Sequence, residues 1–212
     1  MPKPAPATLD ELLARAEGYA DFAMRKMGRM APVLFAATEI GEIWLLPHSL
    51  ADVRAKNDFA NTCRLVCAAY AATTAVLALE SWLTMAKPGE ELDPDTPPSE
   101  AFDRREFVIL MGETASQKKH KFLPIIRTDA GGFFGFGEFE GGSFGHLRGR
   151  FTGLLPPKVP DIQQRTLAKA VLARLGVTGA VLRKAFRLTE AVGHPAINPP
   201  FWGKYPLNQM AR

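Results

Sequence analysis

Between Lys87 and Ser99 the chain carries Pro88, Gly89, Pro94, Pro97 and Pro98. Proline fixes φ and lacks an amide donor, so this stretch can be neither a helix nor a central strand. It separates two apolar runs, "ALESWLTM" and "REFVILMGE", which must therefore be distinct elements joined by a long connection. Each run holds an isolated acid, Glu80 in the first and Glu106 in the second. Two arrangements follow: a pair of catalytic carboxylates brought together, or two neighbouring strands with an ordinary ion pair.

Side-chain alternation decides between them. Thr73, Thr74 and Val76 are β-branched, which favours a strand from about Thr73 to Leu83 over a continued helix. Val76, Ala78, Glu80 and Trp82 then point one way, and Leu77, Leu79, Ser81 and Leu83 the other. On the next strand Arg105, Phe107, Ile109, Met111 and Glu113 share a side. The expected outcome is a structural ion-pair cluster of Glu80, Trp82, Arg104 and Arg105, with an arginine neutralising the acid beside an aromatic ring. Acid–base catalysis by two carboxylates needs environments that separate their pKa values around a cleft. The sequence supplies nothing further for such a site. An enzyme centred on Glu80, Trp82 and Arg105 is the lowest of three functional readings.

The same segment carries a resemblance. "LESW" (Leu79 to Trp82), "PSEAFDRREFVIL" (Pro98 to Leu110) and Glu113 resemble a strand–loop–strand stretch in a group of bacterial and phage hypothetical proteins. It spans roughly the middle third of the chain. That group has no assigned activity, so the resemblance implies an intact fold and carries no catalytic residue across.

The 212 residues suit one domain, or a domain with a small appendage. No apolar run reaches membrane-spanning length, and "MPKPAPATLDELLARAEG" lacks an apolar signal core, so a cytoplasmic protein without membrane contact is expected. Cys63 and Cys67 are four apart on an expected helix and read as small core residues in a reducing compartment.

The expected fold is α+β: a mainly antiparallel sheet with one long helix, Ser49 to Tyr70, on one face, an N-terminal helix that either covers the sheet or serves a partner, and a C-terminal helical pair. Residues 1–30 form a tail and helix, opened by a Thr8–Glu11 capping box. Residues 31–155 form the α+β core, with Gly41 in a hairpin, "ASQKKHK" as a polar turn, and Pro124 marking an edge or bulge. Residues 156–193 form a basic helical pair opened by Asp161, and residues 194–212 a proline- and aromatic-rich tail.

Charge is unevenly placed. Six acids face one lysine between Lys87 and Asp103, whereas nine Lys or Arg face only Asp161 between Arg148 and Arg187. Such a local basic surface attracts polyanions. Gly176, Val177 and Thr178 fit the turn of a helix-turn-helix, although Leu172 stands where a small alanine is usual. The candidate nucleic-acid contacts are Arg148, Arg150, Arg174, Arg183, Lys184 and Arg187. "FGFGEF" (Phe134 to Phe139) suits either core packing or base stacking, and packing is favoured.

His48, His120, His146 and His194 have no metal-binding spacing, and neither a nucleophile elbow nor a phosphate loop occurs. No cofactor, metal or catalytic residue is assigned. The first functional reading is a non-enzymatic binding or assembly protein, with a protein partner or a second copy as its target. Nucleic-acid binding through the basic helical pair is the second.

Overall fold

A computed structural model of the chain describes residues 6–47, 50, 52–84, 100–139, 150–177 and 183–184. The Thr8 hydroxyl accepts the Glu11 amide, and the Glu11 carboxylate accepts the Thr8 amide at 2.8 Å. This capping box opens α1, Leu9–Met27, and Gly28 closes it in the left-handed region at φ 69°. Leu9, Leu12, Ala16, Tyr19, Ala20, Ala23 and Met24 form the buried stripe of that helix.

Two strands follow, β1 (Val33–Thr38) and β2 (Gly41–Leu45), paired as a hairpin. All six residues of β1 are buried, as expected of a central strand covered on both faces. Helix α2, Val53–Ala69, is capped by Asp52, which accepts the Ala55 amide at 2.7 Å. Its expected start at Ser49 lies outside the described residues. Strands β3 (Thr74–Leu83) and β4 (Arg105–Thr114) pair along their whole length. β5 (Lys118–Arg127) and β6 (Phe133–Phe136) complete the meander. α3 spans Ile162–Arg174, and Arg183–Lys184 forms a two-residue strand, β7.

The sheet order is β6-β5-β4-β3-β1-β2, with β7 added beside β2, and every pairing is antiparallel. The sheet curls around α1, which touches β1, β3, β4 and β6. At Gly112 the helix comes so close that a Cβ would meet Leu9 Cδ1 at 2.7 Å. The α1 side is the inner face, with Phe35, Trp44, Val76, Ala78, Val108, Leu110 and Leu123 in its core. On the outer face α2 covers Leu34, Ala36, Ile43, Ala75 and Leu77, and α3 adds Ala168 and Leu172.

Several expectations shift. α2 takes one face as expected and the N-terminal helix covers the other, because β1 and β3 are apolar on both sides. "KKHK" belongs to β5, leaving only Ala115 to Gln117 as the turn. Pro124 lies in a strand flanked on both sides, and the irregularity falls later, between Ile126 and Arg127. α3 forms with a capping box at Asp161 and Gln164. Arg183 and Lys184 of the expected second helix run extended beside Trp44 and Ile43, and the rest of that helix lies outside the described residues.

Candidate functional site

Strand register settles which charges meet. Glu80 lies opposite Val108, and Trp82 lies opposite Glu106. Directly opposed residues of an antiparallel pair share a face, so Glu106 joins Glu80 and Trp82 on the inner face. Arg105 lies opposite Leu83 and therefore points the other way. Pairing between Glu80 and Arg105 is thus replaced by a partner from the next strand, since a one-residue step in a strand reverses the side chain.

That partner is Arg127 of β5. Its Nε donates to Glu106, and an Nη lies 4.0 Å from Glu80. The other Nη donates to the carbonyls of Gly28 and Gly131, each at 3.3 Å. Glu80 also accepts the Met30 amide at 2.9 Å. Arg104 stacks on the Trp82 ring, 4.9 Å from its centroid. The four expected cluster residues therefore fall into an acid that bonds elsewhere, a cation–π pair, and Arg105 on the opposite face.

The cluster sits where α1 ends, and its charged side chains remain partly accessible. Burial raises the Glu80 pKa above the ordinary carboxylate range, and the nearby Glu106 charge adds to the rise. The Met30 amide, Arg127 and Arg29 oppose it. Arg127 is pushed up, chiefly by its hydrogen bond to Glu106. Chemically, Glu80 holds a proton more readily than a solvated carboxylate, whereas Glu106 is committed to a guanidinium.

The basic candidates are distributed. The Arg150 carbonyl accepts from Arg64 of α2, Arg174 lies in the last turn of α3, and Arg183 and Lys184 lie at the sheet edge. Arg148 and Arg187 lie outside the described residues. The phenylalanines of and beside "FGFGEF" also divide. Phe133 and Phe136 contact each other at 5.0 Å and join the inner core, while Phe139 meets Phe107 and Phe122 on the outer face. Phe134, 68% exposed, is the outward ring of this set, whereas base stacking uses several adjacent exposed rings.

Cys63 and Cys67 are buried, and desolvation drives both thiols upward, Cys67 to about 12. Among the described residues no group of three or more His, Cys, Asp and Glu is placed to hold a metal. No helix among them is long and apolar enough to cross a membrane.

Three features escaped sequence reasoning: Arg127, the strap at residues 150–155, and the exposed flank of α3. Arg127 shares parity with Leu123 and Ile125, but only register reveals that it reaches two acids. On α3, Ala168 and Leu172 face inward, while Leu167 and Leu175 are 67% and 58% exposed with half-buried Val171 between them. Spacing of four residues aligns these three in a partly exposed apolar stripe that flanks the buried side. Comparisons with protein-family models, curated proteins and solved structures yield no match.

Proposed function

We propose that the chain is a non-enzymatic binding or assembly protein whose contact surface includes the partly exposed stripe of α3. The observation that carries this reading is the exposure of Leu167 and of the C-cap Leu175, in line with half-buried Val171 along the flank of the buried Ala168 and Leu172. Helices apolar on more than one side are stable when those sides are covered. Covering each leucine would contribute about 1–2 kcal/mol, enough for a few such residues to anchor an interface. Arg174 beside the stripe favours a partner with an acidic group.

Sedimentation of the full chain across rising concentration tests self-assembly. The expected result is a mass above one chain that reverts to one chain in the Leu167→Glu, Leu175→Glu double variant, with its circular dichroism unchanged. A native chain that stays monomeric throughout would confine the reading to a different protein as partner.

Nucleic-acid binding is the second reading, supported by nine basic residues against one acid between Arg148 and Arg187. Fluorescence anisotropy with random duplex and single-stranded DNA should then show affinity that falls steeply with salt and weakens in Arg174→Ala. Absence of binding at low salt removes this reading.

A further inference from the structure

We propose that Glu80, Glu106 and Arg127 form a proton-operated clasp that sets how firmly the C-terminal end of α1 is held against the sheet. The exit from α1 makes two polar contacts with this cluster. The Gly28 carbonyl accepts from Arg127 at 3.3 Å, and the Met30 amide donates to Glu80 at 2.9 Å. Arg127 also reaches the Gly131 carbonyl in the β5–β6 turn, so one guanidinium joins the helix end, β4 and that turn.

The charges facing Glu80 come from each surrounding element: Glu106 from β4, Arg127 from β5 and Arg29 from the α1–β1 connection. With Glu80 ionised, two half-buried carboxylates compete for Arg127, which is bonded to Glu106 and 4.0 Å from Glu80. Adding a proton to Glu80 removes that repulsion. The protonated group still has a carbonyl oxygen for the Met30 amide, and Arg127 is left to Glu106 and Gly28.

Linkage gives the direction. The clasped state raises the Glu80 pKa, so it binds this proton more tightly than the opened or unfolded chain. The stabilisation is fully present below the unfolded value and is lost as pH rises through the folded one. Over that window the protection of the Met30 amide should fall about tenfold for each unit of upward shift.

Nuclear magnetic resonance on the full chain provides the test, following the Glu80 side-chain carboxyl carbon and Met30 amide exchange against pH, corrected for intrinsic exchange. The expected result is a Glu80 midpoint above that of a solvated glutamate, with Met30 protection falling through the same midpoint. Glu80→Gln should hold Met30 protected at every pH, and Arg127→Gln should move the Glu80 midpoint further up. An ordinary or lowered Glu80 midpoint overturns the proposal. So does Met30 protection that ignores pH in the native chain or still follows it in Glu80→Gln. Should the Gln variant fail to fold, the two native-chain curves decide the matter alone.

Discussion

On the inner face the polar ties between α1 and the strands are pairs of charged side chains added to an apolar stripe, whereas on the outer face charged side chains grip backbone. Lys119 meets Asp10 at 2.7 Å and Lys121 meets Glu17 at 2.6 Å along the inner helix. Arg15 pairs with buried Glu42, which also accepts the Trp44 indole at 2.7 Å. On the outer face Arg64 donates to the carbonyls of Arg150, Thr152 and Gly153, and Glu113 accepts the Leu155 amide. Leu154 is thereby held in the core, and Phe151 sits 6.3 Å from Phe59. The inner fastening should respond to salt, because partly exposed charge pairs are screened. The outer fastening should respond less to salt, because the groups it grips are uncharged backbone carbonyls and an amide.

The largest effect should come from removing the plug of the outer fastening. Leu154→Ala deletes a fully buried side chain and should cost about 3 kcal/mol in urea unfolding. A loss under about 1 kcal/mol would mean that the strap closes over the gap and the outer core is adaptable. Next is Arg64→Met, which takes the donor from three carbonyls and should cost about 2 kcal/mol. The same cost at low and high salt would support the contrast between faces, and a cost that disappears in salt would break it.

Tyr19 probes the inner face differently. Its ring meets Phe35 and Trp44 edge-on, its hydroxyl is buried without a hydrogen-bond partner among the described residues, and burial pushes its pKa to about 12. Removing an unsatisfied hydroxyl is favourable, so Tyr19→Phe should gain up to about 1 kcal/mol in thermal or urea unfolding. A measured loss would show that the hydroxyl contributes a contact. The smallest effect belongs to the helix flank. Lys119→Gln and Lys121→Gln should each cost less than about 1 kcal/mol at low salt and nothing measurable at high salt. A salt-independent loss would assign those lysines to packing instead.

Local chemistry made much of the fold legible. The Thr8–Glu11 box, Asp161 and the β-branched run at Thr73 to Val76 each act within a few residues, so their outcomes could be read directly. The carboxylate cluster was legible only in part. Alternation placed Glu80 with Trp82, but the partner depended on how β3, β4 and β5 align. A shift of one residue exchanges Arg105 for Glu106 on the inner face, and sequence spacing carries no direct record of that alignment. The dense aromatic stretch near Phe134 was similarly divided by burial, with its rings sent to two different cores.

By itself the sequence determined that Glu80 and Glu106 lie on separate apolar strands, that α1 begins at a capped Thr8, and that the chain combines helices with a mainly antiparallel sheet. These follow from backbone restrictions and short-range hydrogen bonds. Tertiary structure decided that Arg127 serves both acids, that Arg64 and Glu113 grip a distant strap, and that α3 turns leucines outward. Each depends on which surfaces the curled sheet brings together, and that is fixed by register and packing across the whole chain.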